Sequence, residues 1–128
     1  MERTTISIKK IDHVVLTSAN VEKCAEFYRL LGFEVVDEGS HYEMFAGDFK
    51  INVHIQGHEL MPNANHAVPG TLDICLEIAG DLLSWQERLT THGYKTTKIA
   101  SKRGAKGPIS SFYVRDADLN LIELCSYE

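Results

Sequence analysis

Two histidines and two carboxylates interrupt otherwise apolar, strand-like stretches of this 128-residue sequence. His13 begins "HVVLT", His54 lies in "INVHI", Asp73 begins "DICLEI" and Glu123 lies in "LIELC". A carboxylate in such a stretch needs a partner, because burying an unpaired charge is costly. Imidazoles and carboxylates form a hard-to-borderline ligand set that suits Fe, Mn, Ni, Co or Zn as a divalent ion. These four residues are therefore candidate metal ligands, although each taken alone could be an ordinary strand residue.

The alternation of the strands gives the four side chains a common direction. Successive side chains of a strand point to opposite faces, and each of the four points away from the apolar residues on either side of it. They consequently leave the face that packs on helices and enter the concave face of their sheet. If two such half-sheets close against one another, the four candidate ligands meet near one axis.

The elements that would position these residues occur twice along the chain. Each half contains a strand, a helix and three further short strands, which together make a βαβββ unit. Asn20 and Asp81 are suitable helix N-caps, and Gly32 and Gly93 follow them at the same spacing of twelve residues as C-terminal stops. The sequence therefore predicts an α+β fold of two tandem βαβββ modules.

The repeat also predicts which residues are equivalent in the two modules. Aligning "HVVL" with "DICL" places His13 on Asp73, and a gap-free alignment of "MFAGDFKINVHI" with "YVRDADLNLIEL" places His54 on Glu123. Asn52 lies one strand step from His54 on the same face, so the alternative register would use the amide instead.

The length supports one domain over residues 1–128, with module 1 at about 9–57, a linker at 58–70 and module 2 at about 71–127. Between the predicted strands "YKTTKIA" and "ISSFYVRD", the segment "SKRGAKGP" is predicted to be an extra loop of module 2. Arg103 and Lys106 in this loop could close over the cavity and hold an anionic substrate group. A solvated loop without that role is an equal alternative.

Composition limits the partners and the compartment. The formal net charge of −5 argues against nucleic acid, and no apolar run approaches the length of a membrane span. The three cysteines have no CxxC spacing and fit buried free thiols in a reducing compartment. We therefore expect a cytoplasmic protein that has neither nucleic acid nor a membrane as its partner.

Three stretches carry a family resemblance: "IDHVVLT", "FYRLLGFEVV" and "FYVRDADLNLIEL". They resemble the vicinal oxygen chelate superfamily, which includes glyoxalase I, fosfomycin-resistance proteins, bleomycin-binding proteins and extradiol dioxygenases. The last stretch is similar to that family's "FRDPDGNLIEL" ending, with Ala117 and Leu119 in place of proline and glycine. "KINVHIQGHE" and "PGTLDICLEI" look most like the glyoxalase domain-containing protein 5 type.

The resemblance implies a curved mixed sheet around a U-shaped metal and substrate cavity, and a homodimer. His13 matches the family's first-strand histidine and Glu123 its last-strand glutamate. Asp73 stands where a histidine often opens the second module, and His54 is the nearest candidate for the remaining ligand. Chelation of a small substrate through adjacent oxygens would follow, with Glu123 or Asp73 moving a proton. Arg103, Lys106, Tyr113 and Asn52 are the candidate substrate-binding residues.

Two other functions within the superfamily stay open at this point. An extradiol dioxygenase would use Fe(II) with His13, His54 and Glu123 as a 2-His-1-carboxylate triad. A non-enzymatic module that binds a drug or another small molecule would keep the cavity without a metal. The leading expectation is a metal-dependent lyase or isomerase of the glyoxalase type.

Overall fold

The computed structural model describes residues 5–128, so residues 1–4 of the predicted domain lie outside the described residues. The chain forms two four-stranded mixed sheets, each with one helix on it. Module 1 consists of β1 (His13–Ser18), α1 (Val21–Leu30), β2 (Glu34–Asp37), β3 (His41–Ala46) and β4 (Phe49–Ile55). Module 2 consists of β5 (Asp73–Glu77), α2 (Leu82–Thr91), β6 (Ala100–Gly104), β7 (Gly107–Arg115) and β8 (Leu121–Tyr127). The predicted fold of two βαβββ modules is confirmed.

Each helix begins and ends at the residues that the sequence predicts. The Asn20 side chain accepts a hydrogen bond from the backbone N–H of Lys23 at 3.1 Å. Asp81 caps the second helix in the same way, accepting from the Ser84 N–H at 2.9 Å. The chain reverses after each helix at a glycine with positive φ, a conformation that other residues adopt at a cost. The two caps therefore fix the residues at which the helices after β1 and β5 begin.

The strand registers correct one part of the sequence alignment. β1 and β4 are parallel neighbours with Val15 opposite Asn52, and β5 and β8 are parallel neighbours with Cys75 opposite Glu123. Asn52, rather than His54, is therefore the module 1 equivalent of Glu123. The gap-free alignment is two residues out at this point. It sets Met44 on Tyr113, although Glu43 is the equivalent residue, and the β7–β8 hairpin then has one residue more than the β3–β4 hairpin.

The segment 101–108 is a β-hairpin, so the predicted loop is wrong. β6 and β7 pair antiparallel, and the predicted strand "YKTTKIA" contributes only an isolated bridge between Thr96 and Val114 before β6 begins. The hairpin is anchored by Tyr127, whose hydroxyl oxygen accepts the Lys106 N–H at 3.0 Å. The same hydroxyl lies against Gly104, where a Cβ would overlap it. Gly104, one of the two glycines that suggested a loop, instead permits this close contact.

A buried carboxylate joins the two modules. Asp116 lies in the turn between β7 and β8 and is only 3% exposed. It accepts a hydrogen bond from the Tyr28 hydroxyl of α1 at 2.7 Å. It also accepts the backbone N–H groups of Asp118 and Asn120, each at 2.9 Å, and the Asn120 amide at 2.8 Å. Burial and the adjacent Asp116 charge raise the pKa of Tyr28 well above its usual value, so the phenol stays a donor. Four donors thus compensate the desolvation of one carboxylate.

We expect Asp116→Asn to lower the free energy of unfolding by about 2–4 kcal/mol, because the new NH₂ group faces donors inside a buried site. Urea unfolding measures the change. Tyr28→Phe is the matched control, since it removes one of the four donors and leaves the carboxylate in place; a loss of about 1 kcal/mol is expected. Equal stability of Asp116→Asn and the parent chain would contradict this role.

The same turn contains a strained residue. Leu119 has φ of +67°, the left-handed region, and its side chain is 66% exposed. That conformation costs about 1–2 kcal/mol for a residue with a Cβ. Glycine avoids this cost but adds about 0.5–1 kcal/mol of backbone entropy.

Leu119→Gly should therefore raise the free energy of unfolding by up to about 1 kcal/mol, and Leu119→Val should lower it, because a β-branched residue fits positive φ poorly. Thermal unfolding of both variants, measured against the parent chain, checks the sign. A less stable glycine variant would show that the Leu119 side chain stabilises the fold by more than its strained backbone conformation costs.

Candidate functional site

His13 is held by its neighbour on the concave face of module 1. Its ring Nδ1 lies 2.8 Å from the Asp12 carboxylate, which leaves Nε2 without that contact. The hydrogen bond to His13 is the main reason that the pKa of Asp12 is lowered. A histidine that ligates a metal commonly gives its other ring nitrogen to a carboxylate, which fixes the tautomer and the ring orientation. The His13 ring therefore has the arrangement of a metal ligand with Nε2 as the coordinating atom.

Asn52 lies on the same face of the neighbouring strand and has an unpaired oxygen. Its Oδ1 atom is buried and has no hydrogen-bond partner within residues 5–128. Leaving a buried acceptor unpaired costs about 1–3 kcal/mol. An acceptor that the fold itself does not use is available to a ligand, and a carbonyl oxygen is a suitable donor atom for a divalent ion.

His54 is buried one strand step further along the same face. Its side chain is 7% exposed, and its Nδ1 atom has no hydrogen-bond partner among the described residues. Burial first, and the nearby His41 second, lower the pKa of His54, so its imidazole is neutral at pH 7. His41 in turn lies 3.5 Å from Glu43, which also accepts from Lys50 at 2.8 Å. His54 thus lies in a polar cluster beside Asn52, and it is Asn52 that lies opposite Val15.

The concave face of module 2 carries the two predicted carboxylates. Glu123 lies opposite Cys75 on one side and Tyr113 on the other, and Asp73 begins the same edge strand as Cys75. Partial burial, and then the charge of Glu123, raise the pKa of Tyr113. Burial, followed by contact with Cys125, raises the pKa of Cys75 to about 12. Tyr113 is therefore a neutral phenol that lies opposite Glu123 in the sheet.

The basic residues of the β6–β7 hairpin divide between the two faces. Arg103 pairs with Pro108, on the face opposite to Tyr113. Lys106 lies at the end of the hairpin, 3.4 Å from Glu77 and 4.5 Å from the centre of the Tyr127 ring. Lys102, which the sequence analysis did not select, faces the concave side with its ammonium 6.0 Å from the centre of the Tyr113 ring. Strand alternation identifies Lys102 once the segment is known to be a hairpin.

One chain does not bring the predicted ligands together. Within residues 5–128, no three His, Cys, Asp or Glu side chains lie close enough to hold a metal ion. His13 and Asn52 are in the sheet of module 1, whereas Asp73 and Glu123 are in the sheet of module 2. Exposed residues on both concave faces, such as Val15 and Cys75, show that the two faces are open. Each face thus presents half of a ligand set.

No helix in the described part of the chain is both long and apolar enough to cross a membrane.

Comparison with known proteins identifies relatives over nearly the whole length. The profile of the Glyoxalase/Bleomycin resistance protein/Dioxygenase superfamily matches residues 10–124. The chain is 40% identical over 129 aligned positions to glyoxalase domain-containing protein RDO1 of Mycosarcoma maydis, covering 99% of this chain and 73% of that protein. It is 33% identical to virulence protein STM3117 of Salmonella typhimurium strain LT2, covering 98% of this chain and 90% of that protein.

Solved structures agree with the fold. The crystal structure of STM3117 superimposes with a TM-score of 0.91 at 32% identity, covering 96% of this chain and all of that one. Lactoylglutathione lyase from Agrobacterium tumefaciens superimposes with a TM-score of 0.73 at 19% identity over 94% of this chain and 95% of that one. At that identity, the second likeness supports the fold alone.

Proposed function

Because the chain belongs to the glyoxalase/bleomycin resistance/dioxygenase superfamily, we propose that it is a divalent-metal-dependent enzyme of the glyoxalase type that acts as a homodimer. Its substrate is a small molecule that binds through two adjacent oxygens. The site forms between module 1 of one copy and module 2 of the other. The observation that carries this proposal is the match between the two half-sites, in which His13 corresponds to Asp73 and Asn52 corresponds to Glu123.

The residues present fit a divalent metal. His13 offers a ring nitrogen whose opposite nitrogen contacts Asp12, and Asn52 offers an unpaired buried oxygen. Asp73 and Glu123 add carboxylate oxygens. One nitrogen and three oxygen ligands suit Mn, Fe, Co, Ni or Zn better than a site built from soft sulfur. A second copy is needed because one chain separates the two pairs.

The free edges of β1 and β5 make such an assembly geometrically reasonable. Each strand has one neighbour in its sheet, β4 or β8, and no other strand of the described residues pairs with the opposite edge. If β1 of one copy approaches β5 of the other, His13 and Asp73 become neighbours across the interface. The concave faces of the two modules then form the two sides of one cavity.

Each side chain then has a distinct task. A bound divalent ion would act as a Lewis acid toward two adjacent substrate oxygens. Tyr113 lies opposite Glu123 on the neighbouring strand, where its phenol can orient that carboxylate. Asp73, at the rim of the cavity, accepts and returns a substrate proton at a carboxylate oxygen. Lys102 and Lys106 provide positive charge for an anionic substrate group on the module 2 side of the cavity. Arg103 lies on the other face of the hairpin and would reach that group only by turning around the strand edge.

The other two candidate functions receive less support. An extradiol dioxygenase needs two histidines and a carboxylate on Fe(II), and the register places Asn52 rather than His54 at the position equivalent to Glu123. A non-enzymatic binding protein would not need candidate ligand side chains at matching positions of both modules. Metal analysis separates these alternatives.

We expect the purified chain, loaded with Mn, Fe, Co, Ni or Zn and desalted, to hold about one ion per chain by elemental analysis. His13→Ala and Glu123→Ala should each lower the affinity at least tenfold, because each removes one ligand. His66→Ala is the control, since His66 is exposed and lies in the linker. Full metal content in both ligand variants, or no binding of any of these ions by the parent chain, would contradict the proposal.

A further inference from the structure

The imidazole of His54 is a buried polar side chain that the proposed metal site does not use. Its Nδ1 atom is enclosed without a hydrogen-bond partner in residues 5–128. A buried polar atom left unpaired lowers the stability of a fold, and an apolar side chain of similar shape avoids that loss. Departures of this kind from the rules of a stable fold concentrate at functional positions. A histidine at this position therefore indicates a task outside the fold.

The alternation of β4 turns His54 toward the proposed cavity. His54 lies two residues after Asn52, so both side chains are on the concave face of module 1. A strand rises about 3.3 Å per residue, which separates the two positions by about 7 Å. Thr17 of β1 and His41 of β3 lie opposite His54 on the neighbouring strands. The ring is therefore one strand step beyond the metal position at Asn52.

The two ring nitrogens of His54 have different surroundings. Of the two, only Nδ1 is enclosed without a partner among the described residues. Unpaired buried N–H groups are rarer in proteins than unpaired buried acceptors, so Nδ1 is the unprotonated nitrogen. The proton is consequently on Nε2, at the tip of the ring and farther from β4. His54 thus presents an N–H donor on the cavity side.

We propose that His54 selects the substrate by donating its Nε2–H to an acceptor oxygen about one strand step, or about 7 Å, from the metal position. The proposal rests on the proposed function and names a substrate class for it. That class is a small 2-hydroxy acid or 2-keto acid, which binds the metal through two adjacent oxygens and carries a third acceptor oxygen at its far end.

The charges around His54 largely cancel. Glu43 accepts a hydrogen bond from Lys50 at 2.8 Å and lies 3.5 Å from His41. Glu59, the other nearby carboxylate, accepts a backbone N–H at 2.9 Å. An N–H donor in such balanced surroundings can serve a carbonyl oxygen as well as a carboxylate oxygen. The chemistry common to both is a hydrogen-bond acceptor.

The test uses the full-length chain, loaded with the divalent ion that it binds most tightly, and three 2-hydroxy acids. They chelate in the same way and differ at the far end. 2-Hydroxypentanoate has no acceptor there, 2-hydroxyglutarate has a carboxylate, and the 5-methyl ester of 2-hydroxyglutarate has a carbonyl. Isothermal titration calorimetry measures the dissociation constants. At least one acceptor-bearing probe should bind about tenfold more tightly than 2-hydroxypentanoate, because it gains one hydrogen bond.

Two substitutions of His54 separate selection from a structural role. His54→Phe removes the donor and keeps a flat ring, so the preference for the acceptor-bearing probe should disappear. Metal affinity should stay within about twofold, and the midpoint of urea unfolding should not fall, because the unpaired polar atom is gone. His54→Gln retains an N–H donor and should keep part of the preference. His66→Phe is the control, since His66 is exposed in the linker.

The outcomes distinguish this inference from the proposed function. A parent chain that binds none of the divalent ions overturns both. Normal metal binding with equal affinities for the three probes, or a preference that survives His54→Phe, overturns the role of His54 alone. A tenfold loss of metal affinity in His54→Phe would make His54 a ligand and would also overturn that role. A preference that disappears in His54→Phe and partly returns in His54→Gln supports it.

Discussion

The buried carboxylate of Asp116 is the interaction on which the rest of the structure depends. It accepts hydrogen bonds from the Tyr28 hydroxyl of α1 and from three N–H groups of its own turn. A single side chain thus determines both the shape of the β7–β8 connection and the position of module 1 against it. Asn120 extends the network by accepting the Leu72 N–H at 2.9 Å, just before β5 begins. The Ala19 N–H donates to Asp118 at 2.8 Å, which connects the end of β1 to the same turn. Both first strands of the modules are therefore fixed relative to one turn.

This arrangement explains why the chain presents two half-sites. The modules meet through α1, the β7–β8 turn and a shared apolar core, in which the Phe27 and Tyr94 rings pack edge to face at 4.9 Å. Contacts of this kind use the helix-bearing sides of the sheets. The concave faces, with His13 and Asn52 on one and Glu123 on the other, are consequently left open. Joining them requires a second copy, and the free edges of β1 and β5 are the surfaces available for it.

The sequence predicted the local elements well because local physics determines them. Asn20 and Asp81 cap their helices through side-chain contacts three residues away, and alternation correctly placed His13 and Glu123 on concave faces. The register of β4 against the repeat was not predictable, because the alignment is one residue out in β3 and the added residue of the β7–β8 hairpin makes it two in β4. A shift of two residues leaves the alternation of the strand unchanged. The hairpin of residues 101–108 was mistaken for a loop for a related reason. Gly104 permits the contact with Tyr127, which lies more than twenty residues away in the chain.

Sequence analysis also missed the interaction between Tyr28 and Asp116, which are 88 residues apart. "FYRLLG" and "VRDADLN" each have a local explanation, as an amphipathic helix and a turn, and nothing in either segment requires the other. The contact between Tyr28 and Asp116 determines how the two modules pack against each other. That packing determines whether the four candidate ligands can lie close together within one chain or only between two chains. The separation of the candidate ligands on two faces of the chain is thus a property of the tertiary structure.

Complementation between two defective chains tests the central claim most directly. His13→Ala chains and Glu123→Ala chains, each deficient in metal binding, are mixed under conditions that allow subunits to exchange, and the metal content of the mixture is measured. If the site is shared between copies, each mixed dimer regains one intact site, which combines Glu123 of the His13→Ala chain with His13 of the Glu123→Ala chain. A mixture with exchanged subunits that holds no more metal than its two components would contradict a site shared between copies.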